Sequence, residues 1–249
     1  MMTPSRQRHV RFLAVDLGRS VEVTAHRHTT HQLLRVERGA VAFSHDVATW
    51  VVPMGGAVWI PAGLVHRFEA LEVTTAWGLY VRPARRERLA PPGPVEMSPL
   101  LHALMATFSQ PVDGAARRAR LERVLRDELA DLRPRQFVVA VPRDPAARQV
   151  ALELFAAPAD ERSLAELAAD VGASVRTLQR RFRDETGLSF QAWRRRAGLQ
   201  QAMGALAGGD SITSVAHRCG FASASSFIAA FRAELGITPA VWRRAALVP

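Results

Sequence analysis

The spacing of apolar and polar positions divides the chain into two parts. Residues 10–82 contain short apolar runs that are separated by turn residues such as Gly39, the pair at 55–56 and the Pro-Ala-Gly at 61–63. The clearest runs are 10–15, 31–37, 41–45, 49–53 and 57–63. Many short strands at even spacing predict an antiparallel sandwich or barrel.

Beyond residue 95 the apolar positions recur at helical spacing. Residues 83–95 are rich in Pro and Arg and predict an exposed link, after which 97–108 and 115–132 are predicted helices. The second helix carries a leucine-rich stripe, and we expect the pair to form a hairpin that packs on the barrel or on a second subunit. Residues 137–145 read as extended, so a boundary falls near Arg143.

The last third of the chain contains one pattern twice, at Leu164–Trp193 and at Ile212–Trp242. Each copy predicts a helix, a tight turn at a glycine (Gly172 or Gly220), a second helix and a glycine stop. This arrangement is the helix-turn-helix signature. We therefore predict three regions: an all-β domain at 1–90, a helical connector with a possible dimer contact at 91–142, and an all-α DNA-binding domain at 143–249.

The second helix of each copy is predicted to read DNA. In the first copy Arg and Gln occupy one face, and these side chains suit guanine and adenine edges, with positions nearest the helix start reaching deepest. Arg181 and Arg183 are instead expected to contact phosphates, as is Arg194 in the following helix. The predicted DNA contacts of this copy are Ser174, Val175, Arg176, Gln179, Arg180, Arg181, Arg183 and Arg194.

The second copy presents a smaller and nearly uncharged face. Its predicted DNA contacts are Ser223, Ser225, Ser226, Ala229 and Arg232. We expect these residues to form fewer hydrogen bonds to bases and to touch thymine methyls or phosphates. A charged helix face by itself would indicate only solvent exposure, and it is the surrounding motif that favours base contact.

A second group of residues indicates a metal site in the β region. His26, His28 and Gln32 share parity, and His66 follows the turn at 61–63. Three imidazoles and an amide oxygen suit a divalent transition metal such as Zn, Ni, Fe or Mn. The alternative is a barrel that keeps these residues without a metal, because Gln32 supplies no negative charge. His31 has the opposite parity and is not expected to be a ligand, and neither is His45, which lies on another strand.

Aromatic side chains add bulk to the same region. We consider Phe43, Trp59 and Phe68 as candidates for lining an effector pocket. The alternative is that these rings belong to the barrel core and to a dimer face, and the sequence does not separate the two.

The composition gives the chain a positive net charge, which is compatible with binding to a polyanion such as DNA. The chain has 249 residues and a net charge of +10, but residues 1–142 carry 19 Arg and 13 acidic residues and residues 143–249 carry 14 and 10. The charge therefore does not localise a nucleic-acid surface. The single cysteine, Cys219, permits no internal disulfide, and no membrane-crossing run or signal peptide is recognised, so we expect a cytoplasmic protein.

Two resemblances extend this interpretation. The His-x-His, Gly39, Gly55, Pro61-x-Gly63 and His66 pattern resembles the cupin family, although Gln32 replaces the usual Glu and Ala70 stands where Asn is usual. The tandem repeat, with Gly220-Phe221 and the closing Gly236-Ile237-Thr238-Pro239, resembles AraC-family transcription regulators. This resemblance implies double-stranded promoter DNA, RNA polymerase, a small-molecule or metal effector and a second copy of the chain as partners.

The leading hypothesis is thus an effector-responsive transcription regulator of the activating kind, and not an enzyme. A metal-dependent cupin enzyme with a DNA-binding tail is the alternative, but no general base or nucleophile accompanies the histidines. A purely architectural DNA protein leaves the barrel unexplained.

Overall fold

The computed structural model describes residues 10–19, 21–46, 48–84 and 89–246. Residues 1–9 of the predicted β domain and 85–88 of the predicted link lie outside the described residues. The prediction of an N-terminal all-β domain followed by helical elements is confirmed.

The β domain consists of two antiparallel sheets that face each other. Sheet A has the order β1-β8-β3-β6-β9-β10 and sheet B has the order β11-β5-β4-β7-β2. The strands of sheet A are β1 Val10–Leu17, β3 His31–Arg38, β6 Ala57–Ile60, β8 Thr74–Val81, β9 Gly93–Glu96 and β10 Arg133–Pro134. Those of sheet B are β2 Glu22–His26, β4 Ala40–His45, β5 Ala48–Pro53, β7 His66–Ala70 and β11 Val139–Ala140.

Alternation along the strands sends one set of side chains into the space between the sheets. This interior core is apolar and combines Leu34, Val36, Val58 and Ile60 of sheet A with Val41, Phe43, Val52 and Phe68 of sheet B. The intervening residues point outward, and both outer faces are covered by helices.

The outer face of sheet A is covered by a helical hairpin, α1 Pro99–Phe108 and α2 Ala115–Ala130. Leu101, Met105, Leu125 and Leu129 pack there against outward-facing residues of the sheet such as Trp59. The apolar stripe of the second predicted helix is thus used for packing on the barrel. The connector also contributes strands to both sheets: β9 and β10 pair in sheet A, and β11 pairs in sheet B.

The predicted DNA-binding domain, called the DNA-reading half below, contains seven helices in its described residues 143–246. They are α3 Pro145–Ala156, α4 Leu164–Asp170, α5 Val175–Thr186, α6 Phe190–Ala207, α7 Ile212–Arg218, α8 Ala224–Leu235 and α9 Pro239–Ala246. Ser163, Ser174, Ser211 and Ser223 are the N-caps of α4, α5, α7 and α8, and each side chain accepts from a backbone N–H of the first turn. Gly172 and Gly220 adopt the positive φ of the predicted turns.

The outer face of sheet B packs directly on the first helix-turn-helix unit. Ala42 and Val51 of the sheet share a core with Phe155, Phe182 and Trp193 of the helices. The indole Nε1 of Trp193 donates to the carbonyl of Ala140 at 2.7 Å, and Gln200 Nε2 donates to the carbonyl of Val51 at 2.5 Å. The long helix α6 is therefore fixed to the barrel as well as to both helix-turn-helix units.

Within the described part of the chain, no helix has the length and apolar character that crossing a membrane requires.

Candidate metal centre and DNA-reading surface

Three histidines converge at one end of the barrel interior. His26 ends β2, His28 lies in the connection to β3 and His66 begins β7. One candidate ligand atom from each of the three lies within 4.8 Å of the other two. The three histidines lie close together, as the sequence predicts. His26 and His28 do not share a strand, however, and each histidine belongs to a different element.

Backbone carbonyls fix the orientation of each ring. Nδ1 of His26 lies 2.8 Å from the carbonyl oxygen of Thr24, Nδ1 of His28 lies 2.6 Å from that of Thr30, and Nδ1 of His66 lies 2.9 Å from that of Leu64. A carbonyl only accepts, so Nδ1 carries the proton in each ring, and Nε2 of His26 and of His66 keeps its lone pair. Nε2 of His28 faces an amide oxygen, which is also an acceptor, so that contact requires a shared proton or cation. Such carbonyl contacts accompany most metal-ligating histidines and set their tautomer.

Gln32 is the fourth member of the cluster. Its Oε1 lies 2.8 Å from Nε2 of His28, and its Nε2 donates to the hydroxyl of Tyr80 at 3.1 Å. Tyr80 thereby orients the amide so that its oxygen faces the histidines. The sequence alone does not predict this contact, because it depends on the Gln32–Tyr80 register of β3 and β8.

The environment keeps His66 neutral. The pKa of His66 is lowered to about 4, mainly by burial and to a smaller extent by repulsion from His26, His28 and His45, while a hydrogen bond to the carbonyl of Leu64 opposes the shift. Its Nε2 is buried and has no hydrogen-bond partner among the described residues. A neutral imidazole with an unused buried lone pair is the form that binds a metal ion.

The geometry fits an ion after a small contraction. Three nitrogens about 2.1 Å from a tetrahedral ion lie about 3.4 Å apart. The candidate ligand atoms of the three histidines now lie up to 4.8 Å apart. Movement of each ring toward the centre by about 1 Å would reduce these distances to about 3.4 Å. Three imidazoles and one neutral amide oxygen fit Zn, Ni, Fe or Mn.

The predicted aromatic pocket is only partly assembled. Phe43 and Phe68 lie in the barrel interior, with ring centroids 6.1 and 5.5 Å from that of His66. The prediction for Trp59 is wrong: it pairs with Leu33 across β3 and β6, which places it on the outer face beneath α1. There it stacks on His31 at 5.3 Å.

The first reading helix, α5, presents its predicted face to solvent. Leu178 and Phe182 are completely buried, and the side chains on the opposite side are exposed. The exposed set contains Ser174, Val175, Arg176, Gln179, Arg180 and Arg183. Ser174 also caps the helix, by accepting from the backbone N–H of Thr177 at 3.1 Å. The free N-terminal half of α5 can therefore enter a groove.

The second reading helix, α8, has the same pattern of buried positions as α5 but exposes different side chains. Phe227 and Phe231 are buried in place of Leu178 and Phe182. Ser223, Ser225, Ser226, Ala229 and Arg232 are all exposed, as predicted. Ser223 and Ser226 also form a capping box, so their hydroxyls already have partners in the helix. Arg232 is the one cation of this predicted set.

Two arginines predicted to contact phosphates are used inside the protein instead. Arg194 donates to the backbone carbonyls of Arg162, at 2.8 Å, and Asp160. Arg181 pairs with Asp144 at 3.2 Å and with Glu185 at 3.9 Å. We correct both assignments, because these guanidinium groups hold the segments around α3 to the reading unit.

Two exposed reading helices, attached to a barrel with a convergent polar cluster, define a ligand-binding transcription regulator. Residues 167–245 match the family described as a helix-turn-helix domain, and residues 19–130 match the AraC-like ligand binding domain. The chain belongs to the AraC family of transcription regulators. The regulator NimR of Escherichia coli K12 is 32% identical over 219 residues, covering 86% of this chain and 80% of NimR.

Other relatives match shorter or more distant stretches. The regulator RipA of Corynebacterium glutamicum is 43% identical over 113 residues, covering 43% of this chain and 34% of RipA. The structure of ToxT from Vibrio cholerae aligns over 97% of this chain and 100% of its own, with 8% identity and a TM-score of 0.42. The named relatives are transcription regulators, so the chain is a DNA-binding regulator and not an enzyme.

Proposed function

We propose that the chain activates transcription from promoter DNA in response to an effector, and that a divalent metal ion held by His26, His28, His66 and Gln32 forms part of the effector site. The buried, unpartnered Nε2 of His66 carries this proposal. Leaving such a group without a partner costs about 1–3 kcal/mol, and an ion bound between the rings removes that cost.

The proposal assigns the two reading helices to adjacent major grooves. The helix α5 supplies most of the hydrogen bonds to bases, through Arg176 and Gln179, and α8 supplies mainly apolar and phosphate contacts. A separation of about 34 Å between the helices places both on one face of the duplex. Contact with RNA polymerase and pairing with a second copy of the chain complete the proposal and follow from the family resemblance.

Elemental analysis of the purified full-length chain tests the metal site. We expect about one equivalent of a transition metal per chain, and its loss in the His26→Ala, His66→Ala double variant. His102→Ala is the matched control, because this histidine is exposed on α1. Wild-type protein that stays metal-free when incubated with Zn, Ni, Fe and Mn would contradict the site.

Operator binding by metal-loaded and chelator-treated protein separates the metal from the DNA function. We expect both forms to bind DNA and the metal to change the affinity, since α6 ties the barrel to both reading units. Equal affinity in both forms would remove the metal from the effector site and leave the regulator assignment in place.

A further inference from the structure

A cavity of about 390 Å³ lies at the seam between the barrel and the DNA-reading half. The barrel contributes Ser44, His45 and Thr49 from β4 and β5 and Arg67 from β7, and the opposite wall is formed by Arg143 and Arg148. His66 also borders it, so the cavity adjoins the histidine cluster. Its volume lies within the range of small-molecule sites.

The lining of the cavity carries an excess of positive charge, although Glu22 and Glu69, outside the lining, pair with Arg67 and Arg148. Three guanidinium groups line it, whereas Asp46 is the single carboxylate among its described lining residues. Arg67 lies 3.8 Å from Glu22, and that pair is exposed to solvent. Arg143 is exposed, and its guanidinium has no hydrogen bond or ion pair with the described residues. The cavity therefore favours an anion.

Two polar nitrogens in the lining side chains are left without partners. Arg148 donates through Nη2 to Glu69 at 2.6 Å, but its Nη1 is buried without an acceptor. Nε2 of His45 is buried without a partner as well. Since an unpaired buried donor is costly, a small rotation of Arg148 toward a ligand oxygen in the cavity is favourable. His45 donates to such an oxygen in the tautomer that carries its proton on Nε2.

The cavity wall is directly connected to the first reading helix. The peptide N–H groups of Arg143 and Asp144 donate to Glu185 Oε2 of α5 at 2.5 and 3.0 Å. Arg181 of the same helix pairs with Asp144. A ligand that contacts both Arg143 and the barrel therefore connects the barrel to residues 143–144, which are hydrogen-bonded to α5.

We infer that this cavity binds a small organic carboxylate between Arg143, Arg148 and the barrel strands, and that this ligand couples the barrel to α5. The carboxylate accepts hydrogen bonds from the two arginines, which are stronger than neutral ones because both partners are charged. The inference deepens the proposed function, on which it rests, by naming the chemical class of the effector.

Calorimetric titration of the chelator-treated full chain with benzoate and with malonate tests the inference. The chelator removes any metal ion from the histidine cluster, so that benzoate or malonate cannot bind to such an ion rather than in the cavity. We expect at least one of the two to bind, and we expect benzamide, which has the shape of benzoate without its charge, not to bind.

Substitutions then locate the site. Arg143→Gln and Arg148→Gln should each weaken carboxylate binding about tenfold. Arg120→Gln, at an exposed position on α2, is the matched control and should not change binding. Arg143 is exposed, so its variant remains informative if loss of the Arg148–Glu69 pair impairs folding.

Two results would overturn the inference: no binding of either carboxylate up to about 10 mM, or equal binding by wild type and both arginine variants. Operator binding measured on the same preparations keeps the two proposals apart. A chain that binds its operator but no carboxylate contradicts only this inference, whereas one that binds carboxylate through Arg143 but no specific DNA supports the site and contradicts the proposed function.

Discussion

His66 shows how the burial of a single side chain links folding to pH. Its pKa falls from about 6.5 in the unfolded chain to about 4 in the folded one, mainly because it is buried. Between these values the unfolded state binds a proton that the folded state does not bind. Stability is therefore fully present above pH 6.5 and decreases as the pH falls toward 4, by roughly 3 kcal/mol for this group.

Denaturant unfolding of the chelator-treated protein at several pH values between 4 and 7 measures this effect. We expect the loss of stability across that window to be smaller in His66→Gln, which lacks the titrating group. A slope that is the same in wild type and variant would assign the pH dependence to other residues.

The grouping of the three histidines could be predicted from the sequence because their spacing follows a known pattern, whereas Trp59 could not be placed. Its strand alternates correctly, but alternation alone does not say which of the two faces is the interior. The cross-strand register settles this: Gln32 pairs with Ile60, which places Leu33 and Trp59 together on the outer face. Register depends on contacts between distant segments.

At the scale of elements, the two helix-turn-helix turns share a backbone conformation but differ in their surroundings. Gly172 has φ +63° and nothing within 4 Å of a built Cβ, whereas at Gly220, with φ +78°, a Cβ would lie 2.5 Å from the carbonyl oxygen of Pro158. Gly172→Ala should therefore cost about 1 kcal/mol, from the left-handed conformation alone. Gly220→Ala should cost roughly 3 kcal/mol, because overpacking is added.

Chemical denaturation of the two variants provides the measurement, and each serves as the control for the other. Equal losses would mean that the turn conformation dominates and that the second unit is not packed closely against the segment after α3. A larger loss in Gly172→Ala would contradict the packing described here.

The elements themselves could be predicted in detail, because caps, turn glycines and buried spacing are local signals. Ser163 with Glu166, and Ser174 ahead of Thr177, form the caps that their spacing predicts. The partners of Arg181 and Arg194 could not be predicted in this way. Both residues lie in arginine-rich runs, and only the fold shows that Asp144 and the carbonyl of Arg162 are close to them.

At the scale of the whole molecule, the barrel and the DNA-reading half form a continuous packing unit. Trp193 and Gln200 of α6 bond to barrel backbone, and Arg148 pairs with Glu69 across the seam. The sequence predicted a connector near residues 91–142 but not this contact. Apolar residues that dock one region on another, such as Ala42 and Val51, have the same pattern as residues of a strand core.

The two reading units differ in their packing as well as in their exposed residues. The unit that carries Arg176 and Gln179 is also the unit that packs on sheet B, while the serine-rich unit packs on the far part of α6. A change in the barrel therefore reaches the hydrogen-bonding reader most directly. This arrangement predicts that specificity and effector response both depend mainly on α5.

The most direct test of this account is the affinity of the full-length chain for its selected operator and for single-base variants of that site. Arg176→Ala and Gln179→Ala should each weaken operator binding by about 1–3 kcal/mol and relax the preference at one base position. Ser225→Ala and the control Arg120→Ala should have effects below about 0.5 kcal/mol. Unchanged sequence preference in Arg176→Ala and Gln179→Ala, or a larger loss in Ser225→Ala, would contradict the assignment of α5 as the principal reader.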